Sequence, residues 1–153
     1  MAIASVIQNS AKADLLRAGS NFNTAGGTPA GHAFKIALYT DSTTIDTTTT
    51  AYGGPSNEVS GTGYSSGGNA LTNTGVGTTT VTSFTDFSDT SWTSASFTAR
   101  GCLIYNTTAI TGLTANRAVC SITFGGDKTV SSGTFTIQFP TNDSSSAIIR
   151  LTS

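Results

Sequence analysis

Apolar and polar residues alternate with a period of two over much of this chain. From Ala33 to Thr40, Phe34, Ile36 and Leu38 interleave with Lys35, Ala37 and Tyr39. Successive side chains of a strand point to opposite faces, so the pattern predicts a strand with one face on a core. The same alternation returns from Arg117 to Phe124, with Cys120, Ile122 and Phe124 set against Val119, Ser121 and Thr123. It returns again from Thr129 to Phe139, where Phe135, Ile137 and Phe139 face away from Thr134, Thr136 and Gln138. Gly125, Gly126 and Asp127 predict a turn between those two strands, and Pro140 ends the second. Ser96–Asn106 reads differently, because after Gly101 the run Cys102, Leu103, Ile104, Tyr105 is continuously apolar, as in a central strand buried on both faces. Thr78–Phe84 predicts a Thr- and Val-rich strand, and Ala147–Leu151 a short last one.

Helical spacing is confined to Ile3–Ala18, where Ile3, Val6, Ile7, Leu15 and Leu16 recur and Gly19 follows as a C-terminal cap. Ser10 is placed to cap the better second half, with Asp14 early and Arg17 in the last turn, as the helix dipole prefers. Such a lone helix reads equally as a packing element or as an arm reaching a neighbouring subunit. Thr43–Pro55 is a Thr-rich excursion, an extended edge or an exposed loop with only Ile45 and Tyr52 as anchors. The segment Asn57–Val76, NEVSGTGYSSGGNALTNTGV, joins two strand-like halves through Gly61, Gly63, Gly67 and Gly68, where positive φ suits tight reversals. Leu71 and Val76 after it mark the return to a packed sheet. These elements predict an all-β fold, a β-sandwich or jelly roll with one short N-terminal helix or arm over residues 1–20 and a single domain over residues 21–153.

Composition narrows the partners. A chain of 153 residues is long enough for one core that buries roughly 70% of the unfolded surface without a disulfide or metal. Charged residues make up 10% of it, Ser and Thr about a third, and the formal net charge is -1. Lys12, Arg17, Lys35, Arg100, Arg117, Lys128 and Arg150 are scattered, whereas nucleic-acid binding needs clustered cations. A hydroxyl-rich surface with few charges suits a subunit packed against copies of itself or a larger assembly. The start MAIASVIQNS lacks the pattern of a signal peptide, and no apolar run of ~20 residues spans a bilayer, so synthesis in a cytoplasm with no membrane partner is the expectation. Cys102 and Cys120, each in an apolar strand, read as two buried free thiols.

Candidate chemistry is sparse. His32 is the one histidine, in a Gly-rich loop, with no Ser-centred nucleophile motif to serve and no zinc spacing with the two cysteines. GTGYSSGG, from Gly61 to Gly68, lacks the Lys and following helix of a phosphate loop and reads as a turn. Asp86 and Asp89 lack the acidic density of a calcium loop and read as a solvated turn. Trp92 with Tyr39, Tyr52, Tyr64 and Tyr105 leaves a carbohydrate-binding surface open as an alternative, although Trp92, near Phe87 and Phe97, reads as core. No catalytic, cofactor or metal residues are expected.

Three segments, AFKIALYTDS (Ala33–Ser42), NEVSGTGYSSGGNALTN (Asn57–Asn73) and SWTSASFTARGCLIYN (Ser91–Asn106), followed by GTFTIQFP and AIIRL, resemble small virion structural proteins of tailed bacteriophages. The resemblance covers most of the chain from Ala33 onward. It implies a non-enzymatic capsid cement or decoration subunit, a homotrimer without cofactor that binds the major capsid protein on the outside of the head. A tail, baseplate or fibre component is the alternative within the same particle, and a carbohydrate- or receptor-binding module the alternative outside it. Thr43–Pro55, the glycine crossing and the N-terminal segment are the expected contacts with the shell, since loops and termini escape the packing demands of a core.

Overall fold

The computed structural model describes residues 2–153. In chain order the elements are β1 (Val6–Ile7), α1 (Asn9–Leu16), β2 (Phe34–Tyr39), β3 (Asn69–Leu71), β4 (Asn73–Thr78), β5 (Thr82–Phe87), β6 (Thr90–Asn106), β7 (Arg117–Ile137) and β8 (Ile149–Thr152). They form two antiparallel sheets, ordered β1-β7-β6-β2-β3 and β4-β5-β8. The fold is the all-β, sandwich-like arrangement with a short helix that the alternation predicts.

The main core lies on one face of the large sheet, where Phe34, Ile36 and Leu38 of β2 and Cys102 and Ile104 of β6 meet Phe87 and Ile149 of the small sheet. Phe22 stacks on Phe34 with ring centroids 4.7 Å apart, and both tilt against Phe87. The opposite face is also buried: Ala37, Tyr39, Leu103, Tyr105 and Ala118 pack against Ile3 and Ile45. That double burial is why Cys102–Tyr105 is apolar without a break.

No sheet covers this second face; the Thr-rich excursion does. Ile45 is fully buried and lies in a parallel bridge with Ile3, while the Ala118 amide donates to the Thr50 carbonyl and the Tyr52 amide to the Asn116 carbonyl. Burying one Ile side chain stabilises by roughly 1.5–3 kcal/mol, so a segment with few apolar residues is still fastened as a strap. Its backbone hydrogen bonds complete the attachment.

Three elements differ from their sequence pattern. Gly125–Asp127 does not separate two strands. Ala99 pairs with Lys128 and Gly101 with Thr123, so β7 continues past the glycines and extrudes three extra residues as a bulge. A long β6 offers partners on both sides of the glycines, and pairing wins over the turn. Thr78–Phe84 is not one strand but the turn between β4 and β5, where the Thr79 amide donates to the Thr82 carbonyl. The Thr and Val of that run fit a strand, but Phe84 and Phe87 belong to the return strand.

The helix is shorter than its spacing suggests. Ile3, Val6 and Ile7 enter bridges and β1, which pairs Val6 with Ser121 and Ile7 with Cys120. Gln8, in extended conformation, occupies the cap position without a side-chain cap, and Ser10 lies inside the helix. The N-terminal segment is fastened to its own domain: Gln8 Nε2 donates to Ser121 Oγ at 2.8 Å, and Ser121 Oγ donates to the Ala4 carbonyl at 2.8 Å. Asp14 Oδ2 lies 3.0 Å from Arg117 Nε, with the two side chains 6% and 3% exposed. Arg117 also donates to the Gly19, Thr108 and Thr114 carbonyls.

Candidate functional site

The four glycines of the crossing all adopt positive φ: 155° at Gly61, 78° at Gly63, 87° at Gly67 and 64° at Gly68. At Gly68 a Cβ would also run into the Ile36 carbonyl, so the loop there lies directly on β2. Residues with a Cβ reach these conformations only under strain, which ties the reversal to glycine.

Within this crossing sits a single carboxylate, Glu58, that gathers the surrounding loops. Its Oε1 accepts from the Tyr64 hydroxyl at 2.7 Å and the Gly67 amide at 2.7 Å. Its Oε2 accepts from the Tyr52 hydroxyl at 2.7 Å and Ser66 Oγ at 2.9 Å. Tyr52 arrives from the Thr-rich strap, Tyr64 and Ser66 from the glycine crossing, and Glu58 forms a bridge with Tyr39 at the end of β2. Burial pushes the Glu58 carboxyl up, but the hydrogen bonds from Tyr52, Tyr64, Gly67 and Ser66 together outweigh it and hold the group below its usual value.

The tyrosines complete the cluster. Tyr105 donates to the Gly67 carbonyl at 2.7 Å and stacks on Tyr52, with ring centroids 4.6 Å apart. The Leu38 amide donates to the Tyr64 hydroxyl at 2.9 Å, and Tyr64 stacks on Trp92 at 6.0 Å. Burial is the first cause that raises the phenols of Tyr39, Tyr52, Tyr64 and Tyr105; the Glu58 charge adds to it at Tyr39, and Tyr52 and then Glu58 add to it at Tyr105. All four stay neutral donors at ordinary pH, as a carboxylate ringed by hydroxyls requires. The four tyrosines thus converge, as a sugar platform would need, but Tyr52 is stacked on Tyr105, Tyr64 on Trp92, and Tyr39 is fully buried. Trp92 itself is core, ringed by Tyr64, Phe97 and Phe135.

This arrangement makes two loops one rigid surface. The outward sides of the strap and crossing carry Thr44, Thr48, Thr50, Ser60, Thr62 and Ser65, all exposed and all uncharged.

The remaining candidates are held apart by structural work. His32 Nδ1 accepts from Asn106 Nδ2 at 3.0 Å; Asn106 is oriented by Oδ1, which accepts the Thr108 amide at 2.9 Å, so the His32 proton resides on Nε2. Burial and the nearby Arg117 charge both lower its pKa. Asp86 is buried, not solvated: it accepts the amides of Phe87 and Ile148, while Asp89 accepts the Phe139 amide. Cys102 and Cys120 are free and buried. Among the described residues no three His, Cys, Asp or Glu side chains converge as a metal site would require.

Glu58 is the residue that sequence reasoning passes over. Its signal is faint: one carboxylate in a run of Ser, Thr and Gly, with a tyrosine six positions to either side, at Tyr52 and Tyr64. Asp14 and Arg117 carry no signal at all, since their pairing joins distant parts of the chain. No protein-family model, curated protein or solved structure matches the chain.

Proposed function

We propose that this chain is a non-enzymatic virion structural subunit of a tailed phage, a cement or decoration protein that binds the outside of the head and stabilises the lattice of the major capsid protein. The observation that carries the reading is the Glu58 cluster, which locks two hydroxyl-rich loops into one face with few charges. A surface ordered in advance loses little conformational entropy when it binds, so modest contacts yield useful affinity. Low charge removes repulsion between neighbouring copies, and the resemblance of the three strand and loop segments points to the particle.

The role is physically coherent. A subunit that binds only the mature lattice shifts the shell toward that state by mass action. Copies linked to one another on the shell gain apparent affinity through linkage, by roughly 10²- to 10⁴-fold, without new contacts with the lattice.

The deciding experiment is the copy number of this chain in purified virions, measured by quantitative mass spectrometry against the major capsid protein. Near-stoichiometric abundance is expected. A few to tens of copies per particle would move the subunit to the tail or portal vertex, and absence from virions would overturn the reading in favour of a free binding module.

A further inference from the structure

The small sheet ends on β8, a short strand with no partner on its outer side. β8 pairs with β5 on one side only, in the register Thr82–Thr152, Ser83–Leu151, Phe84–Arg150 and Thr85–Ile149. Beyond β5 the ladder is fixed by the Ser153 amide, which donates to the Val81 carbonyl at 3.2 Å. Hydrogen-bonded and non-hydrogen-bonded pairs alternate along an antiparallel ladder. Ser153, Leu151 and Ile149 therefore direct their backbone groups toward β5, and Arg150 and Thr152 direct theirs outward.

The edges of β7 and β4 are blunted. β7 is broken by the bulge at Gly125–Asp127 and by a second irregularity at Ser131–Ser132, where Ser132 takes φ 50°. β4 has a register shift between Asn73 and Val76, and the Gly75 carbonyl there accepts from Asn142 Nδ2 at 3.1 Å. Such devices oppose strand addition. β8 has no bulge and no proline, and the guanidinium of Arg150 is folded back onto the Ser145 carbonyl.

Apolar exposure concentrates beside this edge. Residues opposite one another in a sheet share a face, so the rows Val76–Thr85–Ile149 and Thr78–Ser83–Leu151 look the same way. That face borders a groove of about 540 Å³ whose far wall includes Leu15 and Phe22. Leu151 is 54% exposed and Val81, beside Ser153, 57% exposed. Among the groove's lining residues no Asp, Glu, Lys or Arg occurs.

We infer that β8 is a self-association seam: a second copy adds its own β8 antiparallel to this one, about a twofold axis at Leu151. In that register Arg150 and Thr152 each form a hydrogen-bonded pair with Thr152 and Arg150 of the other copy, so all four outward amides and carbonyls of each pair are used. Leu151 meets its own counterpart over the mouth of the groove. Charge selects this register over the next one compatible with the ladder, which centres on Arg150 and sets two arginines directly opposite each other. The result is a continuous six-stranded sheet across the dimer. The seam stands without the virion reading; on a capsid it would link neighbouring copies across twofold positions.

A contact of this size belongs to the weak class, so association is read by sedimentation equilibrium of the full chain over rising concentration. A monomer–dimer equilibrium is expected for the native chain. Thr152→Pro removes an amide that bonds nothing within the subunit and, of the contacts inside it, only the hydroxyl pair with Thr82 at 3.3 Å, so it leaves the circular dichroism of the fold intact and abolishes the dimer. Leu151→Lys places two charges at the axis and weakens dimerisation at least tenfold. Hydrogen exchange supplies a separate readout: the Arg150 and Thr152 amides gain protection with concentration, and the Leu151 amide does not change. A chain that stays monomeric at the highest concentration, an oligomer other than a dimer, or a dimer that survives Thr152→Pro overturns the seam.

Discussion

Glu58 illustrates how one side chain decides the behaviour of a loop. Removing its carboxylate leaves the Tyr64 hydroxyl and the Gly67 amide without their acceptor and frees Tyr52 and Ser66. Hydrogen bonds to a charged acceptor are worth more than neutral ones, so Glu58→Ala is expected to destabilise the fold by about 2–4 kcal/mol in chemical denaturation. A loss below the range of ordinary surface substitutions would show that the cluster is decorative. The two cysteines make an independent test. Burial pushes the Cys102 thiol up to about 12 and raises Cys120 as well, which suppresses the thiolate that reacts. Neither should be modified by a thiol reagent until the protein is unfolded, and native-state labelling at either position would contradict the packing around them.

The strands were legible where burial is one-sided or complete. β2 and the apolar half of β6 follow directly as strands from Phe34–Tyr39 and Cys102–Tyr105, but β2, read with one face on a core, is buried on both, because Ile3 and Ile45 pack over Ala37 and Tyr39. β7 was not legible as one strand, since Gly125 and Gly126 carry the signal of a turn and only the reach of β6 overrides it. The N-terminal segment misleads in a different way. Its apolar spacing suggests a helix, yet Ile3, Val6 and Ile7 serve the sheet, and α1 is held by a pair that no local pattern announces. Breaking a buried ion pair by removing one partner leaves the other charge uncompensated, at a cost of about 3–5 kcal/mol. Asp14→Ala should therefore destabilise strongly, whereas the double change Asp14→Leu with Arg117→Met should recover much of the loss. Equal damage from the single and double variants would mean that Arg117 matters through its bonds to the Gly19, Thr108 and Thr114 carbonyls, not through Asp14.

For the molecule as a whole, these local groups combine into a dependence on acid. A group whose folded pKa is depressed stabilises above its unfolded value and loses that contribution as pH falls through the folded value. His32 acts first, below its ordinary 6.5, because burial and then the Arg117 charge disfavour the imidazolium, and protonation at Nδ1 would also set it against the Asn106 Nδ2 and Asn21 amide donors. Glu58 follows below its ordinary 4.5, when protonation weakens its hold on Tyr52, Tyr64, Gly67 and Ser66. Asp86 has the opposite sign: burial raises its carboxyl, so its protonation on the way down relieves a cost and offsets part of the loss. Denaturation midpoints measured against pH should thus fall in two stages, a shallow one from His32 and a later one from Glu58. His32→Gln should remove the first stage alone. Glu58→Gln should lower stability at neutral pH and flatten the second, because the mutant has no carboxylate left to protonate at that position. Two stages that persist unchanged in both variants would place the acid sensitivity elsewhere and detach the loop face from the carboxylate that is argued to hold it.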